Sequence, residues 1–310
     1  MRQEIVVGSR GSKLAMIQAR GVLAALQEAH PTLRFSLIQI VTQGDREPQV
    51  PLDRLEERGA FVKELEEALL DHRIDLAVHS LKDMPVDLPS GLCLAAVTAR
   101  LDPRDALVAL KGKLAELAPG ATIGTGSLRR AMQLRNCRPD LKVEMIRGNA
   151  DTRLKKVSSG VVDGVILAAA ALSRLGREDT ISEYLPIEQF LPAVGQGALG
   201  IEIRSGDRQS SELVSALNHE ATWYAVIAER AFLRSLGGGC RAPIAALGTV
   251  SGRTIRLDGM VASGEGGAML RSVAEGSVSD AERVGIRLAQ KMLAMGASKI
   301  IAEVRAGEGR

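Results

Sequence analysis

The chain has 310 residues, 45% of them hydrophobic and 25% charged, with 40 Lys and Arg against 37 Asp and Glu for a formal net charge of +3. That length exceeds what one core usually supports, so two or three domains are expected, and so ordinary a composition excludes a disordered or disulfide-dense chain. Four Phe, two Tyr and one Trp leave almost nothing on which to stack bases, which argues against nucleic acid as a partner.

The N-terminal MRQEIVVGSR lacks an apolar signal-peptide core. The most apolar stretch, VVDGVILAAAAL (161–172), is broken by Asp163 and Gly164 and is too short to span a bilayer, so a cytoplasmic protein without membrane association is expected. EIVVGSR (4–10) reads as a strand, followed by a helix from a capping Ser12 to about Ala29. FSLIQIV (35–41) is a strand, AFVKELEEALL (60–70) an amphipathic helix, and IDLAVHS (74–80) and LCLAAVT (92–98) are strands. ATIGTGS (121–127) leads into the helix SLRRAMQLRN, KVEMIRG (142–148) into a helix near 150–158, and GVILAAA (164–170) into another. Such alternation predicts parallel sheets with helices on both faces.

RLDPRD (100–105) and LPAVGQG (191–197) read as two crossings between α/β units, with the chain returning to the first unit near GALGIEI (197–203). Beyond about residue 220 a long helix, EATWYAVIAERAFLRSL, runs into a glycine-cysteine loop. An antiparallel meander follows (IAALGTV, TIRLDGMVA, AMLRSVAEGSV), and the helix DAERVGIRLAQKMLA (280–294) closes the domain. The domains expected are 1–99 with 197–216, then 103–192, then 220–310. The fold class is α/β: two periplasmic-binding-protein-like α/β domains around a cleft, plus a smaller C-terminal α+β domain with a three-stranded antiparallel sheet.

In open parallel sheets the ligand site lies beyond the carboxyl ends of the strands, and polar residues cluster there. Gly8-Ser9-Arg10-Gly11-Ser12 opens the first helix, where free N–H groups and Arg10 favour an anion, although a plain strand-to-helix turn explains it equally. Asp83 follows IDLAVHS, where it reads either as a turn former before a proline or as a site carboxylate. Arg129 and Arg130 begin a helix against its dipole, which calls for an anion nearby. Six arginines lie between 129 and 153 (Arg129, Arg130, Arg135, Arg138, Arg147, Arg153), a local basic concentration suited to carboxylates or phosphates.

Cys93, Cys137 and Cys240 are odd in number and far apart, which argues against a disulfide framework. The chain has no CxxC or HxxxH, and four scattered histidines make a metal site unexpected. Cys240 directly follows Gly237, Gly238 and Gly239 and precedes Arg241; it is read either as an incidental thiol after a glycine helix cap or as a functional group on an accessible loop.

HSLKDMP (79–85), GTGSLRR (124–130), RGNADTRL (147–154), LPAVGQGALGIE (191–202) and LGGGCRAPI (236–244), in this order and spacing, resemble the porphobilinogen deaminase (hydroxymethylbilane synthase) family over essentially the whole chain. The resemblance implies a transferase of tetrapyrrole biosynthesis that polymerises four porphobilinogen molecules, with loss of ammonia, into hydroxymethylbilane. It implies a dipyrromethane cofactor joined to Cys240 by a thioether, a monomer, and a product passed to the next enzyme of the pathway. By the same resemblance Lys82, Asp83, Thr125, Ser127, Arg129, Arg130, Arg147 and Gly148 hold the cofactor. Arg10, Ser12, Phe61, Arg147, Arg153, Arg174 and Gln196 bind substrate, and Asp83 is catalytic. Loss of ammonia leaves an electron-deficient azafulvenium ion, which a carboxylate near the pyrrole nitrogens stabilises, an effect worth roughly 3 kcal/mol or more in a dry site.

Two positions depart from the family pattern. Gly126 stands where a second serine is expected, and Arg58 where a lysine is common, in a charged segment (43–60) that resembles the family's mobile loop. Two other readings compete. An anion-binding, solute-receptor-like module without catalysis explains the arginines but not Cys240. A thiol enzyme with Arg241 lowering the pKa of Cys240 has no histidine in a recognisable partner motif.

Overall fold

The computed structural model describes residues 4–42, 62–238, 243–263 and 269–307. The chain forms two compact units, one of Met1–Leu101 with Ala198–Trp223 and the other of Asp102–Gly197 with Tyr224–Arg310. The first unit begins with β1 (Glu4–Arg10), α1 (Lys13–Ala29), β2 (Arg34–Ile40), α2 (Lys63–Leu70) and β3 (Leu76–Ser80). A 3-10 turn (Leu81–Asp83) then leads to β4 (Leu92–Val97). The chain enters the second unit for β5 (Asp105–Ala109), β6 (Thr122–Thr125), α3 (Leu128–Cys137), β7 (Lys142–Met145) and α4 (Ala150–Ser158). It continues there through β8 (Gly164–Ala168), α5 (Ala169–Arg174) and the two-residue β9 (Glu183–Tyr184). It returns to the first unit for β10 (Leu199–Arg204) and α6 (Arg208–Ser215). The long α7 (Glu220–Ser235) leads back to the second unit, where β11 (Ile244–Ser251), β12 (Thr254–Ala262), β13 (Met269–Ser277), α8 (Ala281–Ala294) and α9 (Ala297–Gly307) complete the chain.

The two five-stranded sheets share one topology. Their orders are β2-β1-β3-β10-β4 and β7-β6-β8-β5-β9, so in each the fourth strand is the one that follows a crossing between units. The expected parallel sheets are in fact mixed: β10 runs antiparallel to β3 and β4, and β5 antiparallel to β8 and β9. A parallel neighbour requires a crossover helix, whereas β5 and β10 arrive from the other unit with no such helix before them. The sequence carries no clear signal for β5, β9, α6 and α9, because RLDPRD reads only as a crossing and the other three are short or terminal.

Strand alternation decides the cores. In the first unit Ile5 and Val7 of β1 pack with Ala19, Val22 and Leu26 of α1, while Val6 faces Leu65 and Leu69 of α2. In β8, Val165 and Leu167 enter one core of the second unit and Ile166 the other. Both faces of each sheet are therefore covered, as the nearly continuous apolar runs of β1 and β8 require. The three-stranded antiparallel sheet β11-β12-β13 buries Ala245, Leu247, Met260 and Ala262 with Ala131 and Met132 of α3. On that sheet, a Cβ at Gly259 would meet Leu288 of α8 and Phe232 of α7. The α/β pair and the C-terminal α+β element expected from the sequence are thus both present.

Candidate functional site

In the second unit the chemistry gathers where β6 ends and α3 begins. Ser127 caps α3, its Oγ accepting from Arg130 N, and Thr125 Oγ1 accepts from Ser127 N at 3.2 Å. The anion demanded by two arginines in a first helical turn is Asp105, at the start of β5 and 0% exposed. Arg129 Nη1 donates to Asp105 Oδ2 at 2.8 Å and to Leu191 O at 2.6 Å. Arg130 Nε and Nη2 donate to Asp105 Oδ1 at 3.0 and 2.7 Å. Burial alone would push the Asp105 carboxyl up, but the charges of Arg129 and Arg130 outweigh it and hold it well below the usual carboxylate range.

Two glutamines lock this cluster to the LPAVGQG segment. Gln196 Nε2 donates to Asp105 Oδ1 and to Pro103 O, both at 2.8 Å. Gln133, one turn along α3, donates to Leu191 O at 3.1 Å and accepts from Leu191 N at 2.7 Å. Within the same unit Glu229 of α7, fully buried, accepts from Gly195 N at 2.7 Å and from Gly248 N at 2.8 Å. Asp105, Gln133 and Glu229 were missed in the sequence. Asp105 lies inside RLDPRD, and a buried glutamine or glutamate on a helix leaves no local pattern.

Arg153 and Arg174 are half-buried and differ from the Arg129–Arg130 pair. Arg153 Nε donates to Gly148 O at 2.9 Å, Arg174 Nη2 to Gly197 O at 2.8 Å, and neither forms an ion pair with a described carboxylate. Burial, with the charge of Arg130 added, pushes Arg153 down to about 10; burial alone does the same to Arg174. Both stay cationic at neutral pH. Gly126 is explained here: a Cβ on it would lie 2.7 Å from Ile146 O and 2.9 Å from Arg153 Nη2, so the glycine lets that guanidinium pack on the strand-to-helix turn. Arg147 and Gly148 are exposed before α4, which Asn149 caps through Thr152 N.

The remaining described candidates lie in the first unit. Ser12 Oγ accepts from Ala15 N at 3.3 Å as the cap of α1, and Arg10 ends β1. Lys82 is half-buried in the 3-10 turn after β3, and Asp83 is exposed, with no hydrogen bond or ion pair to any described residue. Both follow the carboxyl end of a central strand. At the end of α7, Gly237 adopts φ +65 and Gly238 N donates back to Leu233 O at 3.1 Å, a left-handed helix stop that suits glycine. Cys240 lies just beyond it, and Cys240, Arg241, Phe61 and Arg58 are outside the described residues.

Among the described residues, Arg129, Arg130, Arg153 and Arg174 have a single carboxylate partner, Asp105, which leaves the second unit with positive charge that acidic ligands would match. This fits a cofactor and substrate that bear carboxylates. Residues 5–212 match the family model described as porphobilinogen deaminase, dipyromethane cofactor binding domain, and residues 223–294 match its C-terminal domain. Porphobilinogen deaminase from Moorella thermoacetica is 52% identical over 308 residues, covering 99% of this chain and 98% of that one. The Pelotomaculum thermopropionicum enzyme of the same name is 48% identical over 311 residues, all of both chains. Among solved structures, the probable amino-acid ABC transporter extracellular-binding protein ytmK of Bacillus subtilis aligns with TM-score 0.45 and 14% identity, over 70% of this chain and 91% of that one. The periplasmic aliphatic sulphonate binding protein SsuA of Escherichia coli aligns with TM-score 0.40 and 15% identity, over 76% and 71%. On the family models and the near full-length relatives together, the chain belongs to the porphobilinogen deaminase family.

Proposed function

We propose that the protein is a transferase of tetrapyrrole biosynthesis that joins four porphobilinogen molecules, releasing ammonia, into the linear tetrapyrrole hydroxymethylbilane. The observation that carries this reading is the arginine cluster of the second unit, in which Arg153 and Arg174 have only backbone carbonyls as partners among the described residues. Each pyrrole unit carries an acetate and a propionate, and guanidiniums bind carboxylates with paired N–H donors. When bound through a thioether at Cys240, dipyrromethane supplies the pyrrole carbon from which the chain is extended. Lys82, Thr125, Ser127, Arg129, Arg130, Arg147 and Gly148 would hold it. Arg10, Ser12, Phe61, Arg153, Arg174 and Gln196 are assigned to the substrate's side chains.

Asp83 is given the catalytic role. Its carboxylate engages no described residue and sits at a strand's carboxyl end, so it is free to stabilise positive charge developing at a pyrrole nitrogen. Asp105 is given the supporting role of fixing the directions of Arg129 and Arg130, whose other donors reach Leu191 O, Ile166 O and Gln196 Oε1. We further propose a monomeric, cytoplasmic enzyme that releases its product to the next step of the pathway. Its three-domain organisation divides 103–192 from 220–310, a division supported by the sheet β11-β12-β13, which is built from the C-terminal segment alone.

The test is the intact mass of the purified chain with peptide mapping across Cys240, before and after incubation with porphobilinogen. An excess of two pyrrole units on the Cys240 peptide is expected, and a thiol that stays unmodified refutes the reading. Asp83→Asn is expected to keep that adduct while losing at least about 100-fold in kcat; retained turnover removes Asp83 from the mechanism.

A further inference from the structure

Three ionisable side chains lie buried on the α2 face of the first unit's sheet and have no part in the function proposed above. Glu66 of α2 is 8% exposed, His79 of β3 4% and Glu202 of β10 0%. His79 Nε2 and Glu202 Oε2 are 3.0 Å apart, while Glu66 Oε1 and Glu202 Oε1 are buried without a hydrogen-bond partner. Two ionised carboxylates facing one imidazole would leave excess negative charge and two orphaned acceptors out of reach of water, an arrangement that is strongly unfavourable. A proton on Glu66 removes the excess charge and converts an acceptor into a donor.

The place of the cluster gives it consequence. His79 directly precedes the Ser80–Asp83 stretch, and Ser80, on the opposite sheet face, donates to Gln18 Oε1 of α1 at 3.0 Å. Leu81 N donates to Ala198 O at 3.1 Å. The turn that carries Lys82 and Asp83 is therefore held from both faces of the sheet, and the His79–Glu202 pair is the hold on the α2 side.

We propose that Glu66 keeps its proton up to about neutral pH, and that Glu66, His79 and Glu202 thereby act together as positioning residues for the Leu81–Asp83 turn. Burial first, and the charge of Glu202 second, push the Glu66 carboxyl up to about 7, with His79 acting in the opposite direction and Glu67 adding a little. The other charged groups on α2 and on the strands packed against it are Lys63 and Glu64 on the helix itself, Glu4 and Arg10 on β1, and Arg204 on β10, which is paired with Asp75 and Asp207. The statement about the proton stands by itself; the statement about the turn rests on the assignment of Asp83.

The proton is tested by the thermal unfolding midpoints of the full chain and of Glu66→Gln between about pH 4.5 and 8.5. A group whose folded pKa is raised binds its proton more tightly in the folded state. Relative to the variant, the wild type therefore loses stability as pH rises from the unfolded value of about 4.3 to about 7, and no further above it. The variant's midpoint should climb against the wild type's across that window and then run parallel. A difference that does not change with pH overturns the proposal. Should Glu66→Gln not fold, carbon-13 carboxyl NMR of wild-type protein labelled in glutamate decides: one carboxyl titrating near 7 is expected, and all titrating at ordinary values overturns it. Positioning is read from turnover. Glu202→Gln should lower kcat about tenfold with KM within about twofold, and a fall in wild-type kcat above about pH 7 should be absent from Glu66→Gln. A kcat unaffected by either change refutes the positioning role, and Asp83→Asn activity separates that result from a wrong assignment of Asp83.

Discussion

At the scale of single residues, Asp105 shows how one buried carboxylate organises a basic site. It takes hydrogen bonds from Arg129, Arg130 and Gln196, and without it two guanidiniums that are 4% and 5% exposed would be buried uncompensated. Asp105→Asn is expected to cost about 3–5 kcal/mol, seen as a lower urea midpoint at pH 7. Its pH signature is opposite to that of Glu66. A depressed folded pKa gives stability that is present above the unfolded value of about 3.9 and lost as pH falls toward the folded one. The gap between wild type and Asp105→Asn should therefore stay constant from pH 7 to about 4.5 and narrow only in stronger acid, which acid titration of both proteins by circular dichroism checks.

At the scale of elements, the second unit is also tied together by side chains that bond to backbone. Gln133 of α3 pairs with both backbone groups of Leu191, and Glu229 of α7 gathers the N–H groups of Gly195 and Gly248. Glu229 thus links α7 to the segment carrying Gln196 and to β11. Glu229→Gln would set an amide donor against one of those N–H groups, and should cost about 1–3 kcal/mol in urea unfolding with no change in helix content. A variant as stable as the wild type would show that the two contacts contribute nothing net.

At the scale of the molecule, the chain passes between its two units at 101/102, 197/198 and 223/224. Where it leaves and re-enters the first unit, Thr98 N donates to Leu199 O at 3.0 Å and Leu199 N to Thr98 Oγ1 at 3.2 Å, so the two chain segments are already neighbours within one sheet. Replacing 102–197 with a short glycine-serine linker should leave the order β2-β1-β3-β10-β4 intact in a fragment ending at residue 223. Its cooperative thermal unfolding by circular dichroism is the expected outcome, and a non-cooperative, molten fragment would show that the first unit depends on the rest of the chain.

The sequence by itself determined the strands of continuous apolar character, the amphipathic helices, the capping role of Ser12, and the five motifs that mark the family. All of these are local: alternation, helical period, cap and turn chemistry act over a few residues and leave their pattern in order along the chain. Only the tertiary structure decided that β5 and β10 run antiparallel to their neighbours, that Asp105 is the counter-ion of Arg129 and Arg130, and that Glu66 is buried within electrostatic reach of the His79–Glu202 pair. Strand sense depends on where a segment comes from. The state of a buried charge depends on partners 24, 25 or 123 positions away, whose proximity is created by folding and written nowhere in the local sequence.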